Sequence, residues 1–135
     1  MVFVDTSVWI DFFAGRDTAH AERLVNLIDS DQDLCVCGVV MTEVLQGIRE
    51  DREYRKTKAY LGDLIYLDLP RKTYLAAADI YRTLRGEGVT IRNTVDCLIA
   101  AICMEHDAIL LHNDRDFEAI AKRFPLTTMT KARMT

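Results

Sequence analysis

Apolar positions along this chain change period again and again, and each change marks an element boundary. Val2–Val4 is an unbroken apolar run that reads as a short buried strand, and it stops at an acid, Asp5. A helix starts at Thr6 or Ser7, with Val8, Trp9, Phe12 and Phe13 at helical spacing, and Gly15 ends it. From Thr18 to about Ser30 the recurrence of Ala21, Leu24, Val25 and Ile28 predicts a second helix. "DLCVCG" is a short strand, after which Val40, Met41, Val44, Leu45 and Ile48 form one apolar stripe with Glu43 at its border.

The charged stretch "REDREYRKTKAYLGDL" predicts a helix, or a turn plus a helix, and "IYLDL" a strand that stops at Pro70. Lys72 to Arg85 is helical by period, closed by "GEG". "IRNTVDCLIAAICMEHD" is an apolar helix with Asn93 as its cap, followed by the all-apolar strand "AILLH". A further helix starts at Asp114, and Pro125 precedes a short tail with a candidate last strand, "LTTM". Short apolar strands alternating with helices predict a mainly parallel sheet covered on both faces, a three-layer α/β/α architecture.

At 135 residues, without internal repeats or linkers, the expectation is a single domain, 1–135. Half of the residues are hydrophobic and 28% are charged, a balance that excludes a disordered chain. No apolar run is long enough to span a bilayer, and Asp5 and Asp11 interrupt the place of a signal peptide, so a cytoplasmic protein without a membrane role is expected. Cys35, Cys37, Cys97 and Cys103 have C-x-C and C-x5-C spacings among apolar neighbours, which suits core packing and not zinc.

The chemistry lies in the acids. In open parallel sheets the ligand crevice lies beyond the carboxyl ends of the strands, and Asp5 sits at such an end. Asp114 and Asp116 follow the strand "AILLH" in the same way, Asp96 falls in the first turn of a helix, and Glu43 lies on the helix after "DLCVC". Taken singly, each has a plainer role: Asp114 as a helix cap, Asp96 as the third-position partner of Asn93, Asp5 in a turn, Glu43 solvated. Four or more carboxylates converging on one sheet edge repel unless a cation neutralises them. Oxygen ligands alone suit Mg²⁺ or Mn²⁺, and carboxylate-held ions of that kind hydrolyse phosphodiesters. On this reading Asp5, Glu43, Asp96 and Asp114 hold metal, Asp116 is a further or alternative ligand, and Thr6, Ser7 and Asn113 orient ligands or substrate.

"VDTSVWI", "TEVLQG", "TVDCLIAA" and "LLHNDRDF", in this order and spacing, resemble a PIN domain, and at this length a ribonuclease toxin of the VapC type. The resemblance runs from Val2 to about Phe124. It puts the family's four acids on Asp5, Glu43, Asp96 and Asp114, with Asp116 close by, and its hydroxyl on Thr6. His112 departs from the pattern, standing where a small hydroxyl residue is common. The resemblance implies a Mg²⁺- or Mn²⁺-dependent endoribonuclease that cuts transfer or ribosomal RNA, inhibits translation, acts as a homodimer and is restrained by a VapB-type antitoxin. The apolar stripes around Trp9, Phe12 and Phe13, and around Val44 and Ile48, are candidates for a groove that takes a partner helix.

A net charge of −4 excludes a broadly basic RNA-binding surface, leaving two local runs: Arg49, Arg52, Arg55, Lys56 and Lys58, and Arg115, Lys122, Arg123, Lys131 and Arg133. The first run serves equally as a solvated helix face. An aspartyl-phosphate enzyme needs a second acid two residues after Asp5, where Ser7 stands, and a receiver domain needs an acid pair on its first strand. The remaining alternative is a catalytically inactive PIN-like module that binds RNA or protein.

Overall fold

The computed structural model describes residues 1–129. Four strands, β1 (Val2–Val4), β2 (Leu34–Val36), β3 (Ile65–Tyr66) and β4 (Ile109–Leu111), form one parallel sheet in the order β3-β2-β1-β4. The central strand β1 sets Val2 against Leu34 on one side and Ile109 on the other. Its three side chains are buried, as the unbroken apolar run requires of a strand covered on both faces.

Seven helices connect and cover the sheet: α1 (Thr6–Phe13), α2 (Ala19–Asp29), α3 (Gly38–Gln46), α4 (Asp51–Gly62), α5 (Arg71–Gly86), α6 (Thr94–Glu105) and α7 (Arg115–Arg123). Helix α1 packs on α2 and α3, and α3 on α4, whereas α5, α6 and α7 pack on one another. The two groups make the outer layers of the α/β/α sandwich. Local chemistry starts the helices where the pattern places them. Thr18 caps α2 by accepting from the Ala21 N–H at 3.1 Å, and Asn93 caps α6 by accepting from the Val95 N–H at 3.0 Å. The charged segment is the helix α4, capped by the Glu50 carboxylate on the N–H groups of Arg52 and Glu53. Gly88, at φ +87°, makes the left-handed turn after α5.

Two elements differ from the pattern. "IYLDL" contributes only Ile65 and Tyr66 as a strand, at one edge of the sheet, and both are exposed. The tail "LTTM" makes one parallel bridge, Thr128 to Leu110, instead of a full strand; Leu110 donates to the Thr127 carbonyl and accepts from the Met129 N–H, both at 2.9 Å.

One hydrophobic cluster joins sheet and helices, with Phe3, Trp9, Leu24, Ile99, Ile102, Leu110 and Phe117 fully enclosed. Trp9, Phe12, Phe13 and Tyr60 interlock, with Trp9 stacked on Phe13 at 5.7 Å between ring centres, and tie α1 to α4. The four cysteines are free and buried within the same packing. Burial pushes the Cys35 thiol up to about 12 and Cys97 to about 11, so both are neutral fillers at physiological pH. No helix among the described residues is long and apolar enough to cross a membrane.

Leu110 is fully buried in β4, so Leu110→Ala is expected to lower unfolding free energy by about 2–5 kcal/mol. Tyr66→Ala on the exposed edge is expected to cost less than about 1 kcal/mol. Urea denaturation of the two variants checks the contrast.

Candidate active site

The strand order decides where a ligand sits. From β1 the chain passes outward to β2 and β3, then returns to the other side of β1 for β4. The crevice therefore opens between the carboxyl ends of β1 and β4, where the order reverses. Asp5 leaves β1 at this point, and Asp114 and Asp116 follow β4. Helix α6 brings in Asp96 from its first turn.

Three helix N-termini meet here. Asp5 occupies the N-cap position of α1 and Asp114 that of α7, while Asp96 and Asp116 lie in the first turns of α6 and α7. The positive ends of three helices therefore face the acids and offset part of their repulsion. Asp114 uses one oxygen as a cap, its Oδ1 accepting from the Asp116 N–H at 2.9 Å. Asp5 lends no side-chain cap to α1; its Oδ2 accepts from the Ser7 hydroxyl at 2.9 Å. Glu43 reaches the site because α3 packs on α1, and its Oε1 accepts from the Thr6 hydroxyl at 2.7 Å. The two hydroxyls after the first strand thus hold one acid each.

Asp96, Asp114 and Asp116 each offer a carboxylate oxygen such that all three lie within 4.8 Å of one another. Asp5 and Glu43 stand outside that trio but act on it through their charge. Burial, then the charges of Asp5, Asp114, Asp116 and Glu43, push the Asp96 carboxyl up to about 7. Burial also raises Asp5, with the Ser7 hydroxyl opposing and Glu43 adding to the shift. Oδ2 of Asp96 is buried with no hydrogen-bond partner. A carboxylate with one orphaned buried oxygen, set close to two further carboxylates, fits a hard divalent cation, whose ligands are oxygens and whose charge removes the repulsion.

His112 is buried behind this trio. Its Nδ1 accepts from the Asp114 N–H at 3.0 Å, so its Nε2 carries the hydrogen that is shared with Glu118 at 2.8 Å. Thr128 in the tail donates to the same Glu118 oxygen at 3.3 Å. Asn113 is exposed beside Asp114. Arg92 is the residue that the pattern did not single out. Its backbone N–H and its Nε both donate to Asp116 Oδ2 at 3.2 Å, and its Nη2 donates to Asp114 Oδ1 at 3.1 Å. A basic residue just before the Asn93 cap was the available signal, but its partners lie more than twenty residues away in sequence.

A shallow apolar groove lies apart from the acids, lined by Ile10, Phe13 and Ala14 of α1 and its end and by Val44, Gly47 and Ile48 of α3 and its end. Phe13, Val44 and Ile48 from the predicted stripes line it, whereas Trp9 is fully buried and belongs to the core. Arg49, Arg52, Arg55, Lys56 and Lys58 are exposed on or just before α4, and Arg115 and Lys122 on α7. Arg123 is paired with Glu87 at 2.7 Å, and Lys131 and Arg133 lie outside the described residues.

Residues 2–123 match the PIN domain family. The chain is similar to Ribonuclease VapC11 of Mycobacterium tuberculosis, 32% identical over 124 residues that cover 90% of this chain and 92% of that protein. Among solved structures it resembles VapBC2 from Rickettsia felis bound to a DNA fragment from their promoter, with a TM-score of 0.74 and 20% identity over 95% of this chain and 97% of that one. FitAcB from Neisseria gonorrhoeae matches with a TM-score of 0.73 and 18% identity over 96% of this chain and 97% of that one. At these identities the two structures share the fold.

Because Asp96 titrates near 7 in the folded protein and near 3.8 unfolded, its protonated form favours folding. That stability is fully present below about pH 4 and is lost as the pH rises through about 7. In EDTA, Asp96→Asn is therefore expected to melt above wild type at pH 8, by a few degrees, with the gap closing toward pH 5. Mn²⁺ is expected to raise the melting temperature of wild type and not of the variant.

Proposed function

The chain belongs to the PIN domain family and, within it, to the VapC ribonucleases, and from that premise we propose that it is a metal-dependent endoribonuclease, the toxin of a VapBC-type toxin–antitoxin pair. The observation that carries the proposal is the buried, unpartnered Oδ2 of Asp96 with the carboxylates of Asp114 and Asp116 close to it. Asp96, Asp114 and Asp116 hold the ion, Mg²⁺ or Mn²⁺, and Asp5 and Glu43 complete the ligand set directly or through water. When bound, such an ion supplies an activated water and stabilises the leaving oxygen of a phosphodiester.

The chain's own residues fix the geometry around it. Ser7 restrains Oδ2 of Asp5, Thr6 restrains Glu43, and the His112 ring holds the backbone of Asp114 while the Asp114 carboxylate caps α7. Asn113, exposed beside Asp114, is suited to meet substrate. The substrate is RNA, with transfer or ribosomal RNA as the target through which translation is inhibited, which places its work in the cytoplasm. Arg115, between Asp114 and Asp116 in the chain, and Lys122 on the same helix are suited to phosphates without base preference.

The groove between α1 and α3 suits an apolar helix of a VapB-type antitoxin, because it offers aliphatic and aromatic contacts with charge confined to Glu53 at its border. A homodimer is the assembly we assign to the toxin, and Tyr74 and Leu75, 51% and 61% exposed on α5, provide apolar surface for it.

Purified protein is expected to cut total cellular RNA into discrete fragments with Mg²⁺ or Mn²⁺ and not in EDTA. Asp5→Asn and Asp96→Asn are each expected to lower the rate by about 100-fold or more in folded protein. Metal-independent cutting, or full activity in both variants, overturns this assignment; a folded wild type that never cuts supports an inactive binding module. Ile48→Glu, in the groove, is expected to weaken antitoxin binding at least about tenfold while leaving RNA cleavage unchanged. Pull-down of the cognate antitoxin beside a cleavage gel checks both halves.

A further inference from the structure

Arg92 differs from the other paired arginines of the described chain in what it holds. Arg16 and Arg123 are bound to Asp11 and Glu87, acids outside the site, whereas Arg92 is bound to two of the three carboxylates able to hold a metal. Its side chain is nevertheless 60% exposed. The chain thus supplies its own cation to Asp114 and Asp116. A guanidinium neutralises carboxylates well but gives up no proton and has no coordination position for water, so it cannot do the work of a divalent ion.

Both cations draw on the same two carboxylates, and the guanidinium holds Oδ1 of Asp114 and Oδ2 of Asp116. An ion bound to those carboxylates must share or displace the guanidinium. The exposed end of the side chain has open solvent to move into, and the backbone N–H of Arg92 on Asp116 keeps the residue at the rim when it does. A guanidinium released there meets the next anion to arrive, a phosphodiester of the substrate, which its planar fork is well suited to bind.

We propose that Arg92 is an internal counter-cation that exchanges partners, from Asp114 and Asp116 in the metal-free site to a phosphate of the RNA once a divalent ion is bound. It is then a substrate-positioning residue that couples ion binding to RNA binding. The inference rests on the ribonuclease assignment above.

The test uses the full chain freed of any partner, as wild type, Arg92→Gln and Arg92→Lys, with melting curves to establish that each is folded. Mn²⁺ binding without RNA is read from the electron paramagnetic resonance of the free ion. Binding of fluorescein-labelled transfer RNA in saturating Mn²⁺ is read by anisotropy, with Asp5→Asn added to each protein to prevent cutting. Arg92→Gln is expected to bind Mn²⁺ about threefold or more tighter, because a competing cation is gone, and RNA about tenfold weaker, because a charge-assisted contact is lost. Arg92→Lys, which keeps the charge and loses the fork, is expected between wild type and Arg92→Gln on both readouts.

Unchanged or weaker Mn²⁺ binding in Arg92→Gln, or unchanged RNA binding, overturns the inference and leaves the ribonuclease assignment standing. A wild type that binds no Mn²⁺ overturns both. Should Arg92→Gln fail to fold, Arg92→Lys matching wild type on both readouts overturns the inference.

Discussion

Mutual repulsion among carboxylates at one end of the sheet is the constraint around which the rest of this molecule is arranged. Three acids bring oxygens within 4.8 Å of one another, and two more add their charge from nearby. In a half-buried crevice such a group cannot all be ionised without positive charge. The protein supplies it by several means at once. Helix N-termini point at the acids, the Ser7 and Thr6 hydroxyls and the Arg92 guanidinium donate to them, and Asp96 is pushed toward its neutral form. Each device is partial and offsets a share of the repulsion.

The fold makes this arrangement possible by separating charge from packing. The strands are almost wholly apolar, so the core cluster holds sheet to helices with no help from the acids. Polar chemistry begins one residue beyond the strands, at Asp5 and His112, where the strand order reverses and a crevice opens. The connection is tight in places: the tail that bridges to β4 also touches Glu118, which holds the ring of His112, which holds the backbone of Asp114. The rigidity of the core thereby extends to Asp114, whose side chain is itself only partly covered.

Much of this was legible in the amino-acid order because it rests on local signals. Caps at Thr18, Asn93 and Asp114 need only a short polar side chain before an apolar period, and the buried strands announce themselves as unbroken apolar runs. Four of the five acids stood out because each falls at or just beyond an element end, and Glu43 because it borders the apolar stripe of α3. What was not legible depends on distance in the chain. The contacts of Arg92 with Asp114 and Asp116 span 22 and 24 positions, and nothing in "TIRN" tells of them. The exposure of Ile65 and Tyr66 depends on how far the rest of the chain covers β3, which the apolar run itself does not tell. For Trp9, periodicity set the inward face of α1 but could not say that its ring sits under Phe13 and Tyr60 while Phe13 borders the groove.

Asp114 and Asp96 differ in one respect that bears on how such chains diverge. The carboxylate of Asp114 starts a helix as well as facing the site, so a lineage that abandoned catalysis would still gain from keeping an acid or amide there. The Oδ2 of Asp96 has no such second duty; without a cation it is a buried, unpartnered oxygen that weakens the native state. Relaxed selection would therefore erase the acid at 96 early and the one at 114 late. Among descendants of this fold, the residue at position 96 is the better record of whether the ancestor's chemistry is still in use.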